Sequence, residues 1–218
     1  MMSTAVVFAG GPHRSPGDLA RRVGALDADL VVAVDEGLHA AVAAGAQVDL
    51  VIGDLDSADP ALVDRVRGSG ASVDRHPVDK DATDLELALA HLVARGVSAA
   101  RVIASDAGRM DHLLAVAMLL ADPRWSSLRL DGWLGGARVR PVHRHVVLDP
   151  VPGPLVSLLP VGGDAHGVRT EGLRWPLRGE TLRAGSTRGV SNELTGSVAH
   201  IRVDEGVLVA VQPEQETR

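Results

Sequence analysis

Leu50-Val-Ile-Gly-Asp-Leu-Asp-Ser-Ala-Asp-Pro-Ala-Leu-Val-Asp-Arg-Val-Arg67 holds the pattern on which the fold turns. Leu50 to Ile52 is a continuous apolar run, as expected of a strand buried on both faces of a parallel sheet. An acidic turn, Gly53 to Ser57, follows it. Asp59-Pro60 then reads as an N-cap with proline at the first helical position, opening a helix over 60–67. The same order of strand, loop and helix recurs on either side. Strands are predicted at Ala5–Ala9, Leu30–Val34 and Arg101–Ala104, with a weaker one at Ala71–Val73. Helices are predicted over 18–26, 38–44, 83–95 and 111–120. Thr83-Asp-Leu-Glu86 is a capping box, and Leu85, Leu89 and Leu92 form one apolar stripe behind it. Gly45 and Gly96 close their helices. Such alternation predicts an α/β N-terminal domain with a mostly parallel open sheet.

After about Leu120 the helical patterns stop. Gly and Pro punctuate short runs at 139–148, 155–161, 167–177, 180–183, 200–203 and 207–211, and several of these alternate polar with apolar residues. This predicts an all-β antiparallel sandwich or roll. The domains are placed at 1–125 and 126–218, with the boundary inside 121–137.

Composition removes several classes of function. Lys plus Arg is 22 and Asp plus Glu 28, a formal charge of −6. With one Phe, three Trp and no Tyr, the chain lacks the basic surplus and the stacking platforms of a general nucleic-acid binder. No apolar run approaches a membrane span, and Thr4 to Gly10 is too short for a signal sequence. Without cysteine there are no disulfides and no thiolate sites. A cytoplasmic globular protein is expected. The acids are concentrated: 10 of the 20 aspartates lie between Asp35 and Asp84.

Ligands of open α/β sheets bind beyond the carboxyl ends of the strands. Asp35 follows the strand 30–34, and Asp54 and Asp56 follow 50–52. Asp79, Asp81 and Asp84 follow 71–73, and Asp106, Arg109 and Asp111 follow 101–104. Four strand ends thus bring carboxylates to one edge. In an extended chain Asp54 and Asp56 point the same way, about 6.5–7 Å apart, and could share one hard cation. Magnesium suits such a shell, which water and phosphate complete. Asp59 is better placed than either for capping. Lys80, the sole lysine, is either a local ion pair or a point charge on polyphosphate. Arg109 either pairs with Asp111 or forks a phosphate. Gly10-Gly11-Pro12 lacks the remainder of a P-loop but permits close backbone approach to a nucleotide. His143 and His145 lie two apart on a strand, a possible metal pair, but with no third ligand nearby they read as surface histidines. Trp175 is a core residue or a platform for a flat cationic ring.

Six elements occur in a telling order: Val34-Asp-Glu-Gly37, Gly53-Asp-Leu-Asp-Ser57, Asp79-Lys-Asp-Ala-Thr-Asp84, Gly108-Arg-Met-Asp-His112, Gly172-Leu-Arg-Trp175 and Ser191-Asn192. In this the chain resembles the thiamine pyrophosphokinases through nearly its whole length. The resemblance implies transfer of the pyrophosphoryl unit of ATP to the thiamine hydroxyl, giving thiamine diphosphate and AMP. It implies Mg2+ held by Asp54, Asp56 and Asp84, with Asp35, Arg109 and Asp111 lining the same site and Gly11 and Lys80 beside ATP. Trp175 would stack on thiamine, Ser191 and Asn192 would contact it, and the enzyme would be a homodimer. Asp56 or Asp111 would accept the hydroxyl proton. Leu55, Glu36 and Ala107 depart from the family pattern without removing a proposed ligand. The alternatives are another acceptor, such as a hydroxymethylpterin, and a non-catalytic nucleotide- or thiamine-binding module.

Overall fold

The computed structural model describes residues 3–10, 28–56, 58–104, 109–149, 151 and 153–214. Two compact units emerge: Met1–Leu113 with Ser127–Gly135, and Leu114–Ser126 with Gly136–Arg218. They alternate along the chain around the boundary placed at 125/126. The helix predicted over 18–26 and the loop residue Gly11 lie outside the described residues.

The first unit contains β1 (Thr4–Ala9), β2 (Leu30–Val34), α1 (Gly37–Ala43), β3 (Leu50–Gly53), α2 (Pro60–Gly68), β4 (Ser72–Arg75), α3 (Asp84–Ala94) and β5 (Ala99–Ala104). α4 (Met110–Leu120) and a 3-10 turn at Pro123–Trp125 lead to β6 (Arg129–Leu134). The sheet order is β4-β3-β2-β1-β5-β6, parallel throughout. β6 was not foreseen; it pairs with β5 in register from Ala99↔Arg129 to Ala104↔Leu134.

Local chemistry explains the elements. The Asp59 carboxylate accepts the Ala61 N–H at 3.0 Å, and the Thr83 hydroxyl accepts the Glu86 N–H at 3.2 Å, so α2 and α3 begin where their caps stand. One face of the sheet packs Val6, Phe8, Ala33, Val51 and Ile103 against Leu38, Leu62, Val63 and Val66 of α1 and α2. The alternate residues Val7, Val32 and Ile52 are buried as well, so both faces are covered. α3 lies on β1, β2 and β3, sealing Leu85, Leu89 and Leu92. Each sealed leucine contributes about 1.5–3 kcal/mol. The chain runs from β1 outward to β4 and returns to β5 on the other side of β1, which puts a topological switch point at β1/β5.

The second unit is antiparallel. It holds β7 (Ala137–Val142), β8 (His145–Leu148), β9 (Leu155–Glu171), β10 (Arg178–Leu182), β11 (Asn192–Glu193), β12 (Ala199–Arg202) and β13 (Glu205–Pro213). β9 spans two runs that the sequence presents as separate, because the strand continues through Gly162-Gly163, with φ 76 at Gly162 and a shift of register against β13. Its first part pairs with β13 and β11, its last part with β10 and β12. Val156, Leu158, Ala165 and Val168 of β9 meet Leu182, Ile201 and Leu208 in one core. Among the described residues no helix is long and apolar enough to cross a membrane.

Candidate active site

The carboxyl ends of β2, β3 and β4 build the acidic edge. Asp35 leaves β2 with φ 46, and its N–H donates to the Ile52 carbonyl at 3.1 Å. Its carboxyl lies across Gly53, where an added Cβ would sit 1.6 Å from Asp35 Oδ1. Only glycine fits beneath that carboxyl, and φ 151 at Gly53 also favours glycine. The extended Asp54–Asp56 geometry expected from the sequence does not form. Leu55 instead takes φ 60 and enters the core of the unit, while the Asp56 N–H turns back to Asp54 Oδ1 at 3.1 Å. This is an aspartate turn held by one buried side chain, a strained backbone of the kind found at functional sites. The departure at Leu55 therefore concerns packing, whereas Glu36 is exposed beside Asp35 and heads α1 without a side-chain cap.

Asp84 arrives at the first position of α3, behind the Thr83 cap. Lys80 reaches in from the preceding loop. Its Nζ lies 3.0 Å from Asp84 Oδ2 and 4.0 Å from Asp54 Oδ2, and it donates to the Pro77 carbonyl at 3.0 Å. Asp79 and Asp81 face solvent. Burial pushes the Asp35 carboxyl up to about 7, reinforced by the charge of Asp84, a hydrogen bond with that carboxyl, and the charge of Asp54; the Leu55 N–H opposes the shift. Asp54 is held below the usual range, first by the Asp56 N–H and also by Lys80, against the effect of burial. Asp35 Oδ1 and Asp84 Oδ1 are buried without a hydrogen-bond partner. Two donor-less carboxylate oxygens beside Asp54 make a hard-oxygen edge that suits a divalent cation. Among the described residues no three such groups converge as a ready metal cage. Magnesium does not need one, because one or two carboxylates, water and substrate phosphate suffice.

Arg109 and Asp111 stand at the start of α4, both well exposed and paired with each other at 2.5 Å. The fork holds Asp111 down to about 2. Asp106 and Gly108 fall outside the described residues.

The second unit presents Trp175, 51% exposed. Asn192, at the start of β11, is buried and clamps it: Oδ1 accepts the Trp175 N–H at 3.1 Å and Nδ2 donates to the Trp175 carbonyl at 2.8 Å. The same Oδ1 accepts the Glu193 N–H. Asn192 thus positions the tryptophan, a role the sequence did not reveal. The Arg174 guanidinium sits 4.9 Å from the indole centre and is tied to Glu193 at 2.9 Å. Ser191 has φ 60, leaving its side chain exposed beside this brace. His145 meets His200 on the neighbouring strand at 3.3 Å, and His143, read as a surface residue, is instead half-buried with its Nε2 out of solvent.

Comparison with known proteins agrees with both halves. Residues 25–130 match the family model "Thiamin pyrophosphokinase, catalytic domain", and residues 144–208 match "Thiamin pyrophosphokinase, vitamin B1 binding domain". A thiamine pyrophosphokinase of Bacillus subtilis is 26% identical over 97% of this chain and 99% of its own. The crystal structure of a Bacillus subtilis thiamine pyrophosphokinase superposes with TM-score 0.85 at 24% identity, covering 98% of this chain and 100% of that one. A thiamin pyrophosphokinase from Candida albicans shares the fold at 11% identity, TM-score 0.76, over 97% of this chain and 89% of its own. Matched in order by both models over most of its length, the chain belongs to the thiamin pyrophosphokinase family.

Proposed function

We propose that the chain transfers the pyrophosphoryl unit of ATP to the hydroxyethyl group of thiamine, forming thiamine diphosphate and AMP, with Mg2+ as the divalent ion. The observation that carries this reading is the acidic edge, Asp35, Asp54 and Asp84 at adjacent strand ends, in a chain of a family of ATP-dependent pyrophosphoryl transferases. Asp54 and Asp84, with Asp56 on the same turn, would hold the ion. Bound there, it would neutralise charge on the β- and γ-phosphates. Lys80 and Arg109 supply further positive charge for phosphate, and Gly11 belongs to the loop assigned to the nucleotide. Trp175 offers its ring to the thiazolium cation, Ser191 its hydroxyl, and Asn192 holds the tryptophan in place.

The thiamine oxygen bonds to the β-phosphorus. The bond from that phosphorus to the α,β-bridging oxygen breaks, and AMP departs with that oxygen. The hydroxyl proton passes to a carboxylate. Of Asp56 and Asp111, the latter is a poor acceptor while Arg109 holds it at about 2. Most of the acceleration then comes from positioning and charge rather than covalent work by the protein.

A homodimer in the cytoplasm belongs to the same proposal. α4 leaves Met110, Leu114 and Met118 exposed at successive turns, an apolar stripe that supports a second copy as its cover. Light scattering of the purified chain measures this directly. The activity is tested by incubating the chain with ATP, Mg2+ and thiamine and separating products by chromatography. AMP and thiamine diphosphate in equal amounts are expected. Neither product, or product only with a pterin alcohol as acceptor, overturns the assignment.

A further inference from the structure

Lys80 has a place that phosphate binding alone does not explain. Its side chain is 15% exposed, and its ammonium lies near three oxygens, those of Asp84, Asp54 and the Pro77 carbonyl. Two of its three donors have hydrogen-bond partners, Asp84 and the Pro77 carbonyl, and the charge of Asp54 stands 4.0 Å away. The contacts come from three places on the chain: the β3 turn, the loop after β4, and the first residue of α3. The carboxylates are the same pair assigned to the divalent ion, and they are themselves only 18% and 12% exposed.

We infer that Lys80 is a built-in counter-ion that occupies the cation position of the acidic edge and must be displaced before a divalent ion can bind. This rests on the proposed metal reading and goes beyond it. The lysine neutralises part of the acidic edge in the free protein, so the carboxylates do not bear their mutual repulsion alone. It also raises the free energy of binding a divalent ion by itself, because the ion must break two ion pairs and meets a like charge nearby. A nucleotide removes that obstacle. Its phosphates offer the released ammonium a new set of oxygens on a flexible four-carbon stem. Metal loading is thereby linked to nucleotide arrival, and by reciprocity each ligand tightens the other.

The test uses metal alone. Mn2+ is titrated into the full chain without nucleotide and followed by electron paramagnetic resonance, then again with α,β-methylene-ATP. Lys80→Met is expected to bind Mn2+ alone about tenfold more tightly than wild type and to lose most of the enhancement by nucleotide. Lys80→Arg, which keeps the charge, should stay near wild type. Equal or weaker binding of Mn2+ by Lys80→Met overturns the inference. Asp54→Asn separates the two readings. If it leaves Mn2+ binding untouched, the ion is not at this edge and the metal assignment falls with the inference. If it weakens binding while Lys80→Met changes nothing, the inference alone falls. A measurement on the wild-type chain guards against misfolding of the variant. Lys80 is the only lysine, so lysine labelled with carbon-13 at Cε gives one signal. Saturating Mg2+ should move it to the position of a solvated lysine, and a signal that does not move contradicts displacement.

Discussion

Gly53 and Asp35 are two halves of one device. The Asp35 carboxyl rests where any Cβ at position 53 would lie, 1.6 Å from Oδ1. Gly53→Ala must therefore expel that carboxyl or bend the β3 turn, with backbone strain of about 1–3 kcal/mol. A shift of about 1 Å at such a site costs on the order of 100-fold in kcat/KM, which steady-state kinetics would read. Asp35 also gives the free protein a pH signature. Its carboxyl is raised from 3.8 to about 7 by burial and by Asp84. Between those values the unfolded chain gives up its proton while the folded chain keeps it, so this group makes stability fall as pH rises through that window. Below it the group contributes nothing, and above it the loss is constant. Urea unfolding of metal-free protein should show Asp35→Asn gaining on wild type from pH 4 to 7 and holding that gain above. A gap independent of pH would contradict the assignment.

Among the elements, helices and strands of the first unit were legible wherever period and caps coincided. α3 shows why: Thr83 caps it, Leu85, Leu89 and Leu92 face the sheet, and neither feature depends on distant residues. Thr83→Ala should cost about 1 kcal/mol in chemical denaturation, and no change would mean the hydroxyl bond is worthless in context. β6 was not legible because Arg129-Leu-Asp-Gly-Trp-Leu134 alternates like an antiparallel strand. In the fold it runs parallel to β5, and Asp131 lies opposite Arg101 of that strand and pairs with it at 2.9 Å. That partner is 30 residues away and invisible to local pattern. β9 was divided in two because glycines interrupt its apolar runs; in the fold β13 pairs on both sides of Gly162-Gly163, at Val161 and again at His166, with a shift of register between them. The candidate site divides in the same way. Asp35, Asp54 and Asp84 were readable from strand ends, a rule of topology. The bridging position of Lys80 and the clamp of Asn192 on Trp175 depend on how loops close, which residue spacing does not encode.

At the scale of the whole molecule, the acidic surplus of the chain has an address. The −6 charge is concentrated in aspartates between Asp35 and Asp84, and several of these stand at the carboxyl ends of a parallel sheet with its switch point at β1/β5. A polyphosphate would be repelled there without a cation, so charge, topology and reaction belong to one design. Transfer of the β- and γ-phosphoryl groups as a single unit is decided by one labelling measurement. The purified chain is given ATP carrying phosphorus-32 at the β position, with Mg2+ and thiamine, and the products are separated. All transferred label should appear in thiamine diphosphate, with unlabelled AMP as the partner product; label remaining in ADP, with thiamine monophosphate formed instead, would contradict pyrophosphoryl transfer.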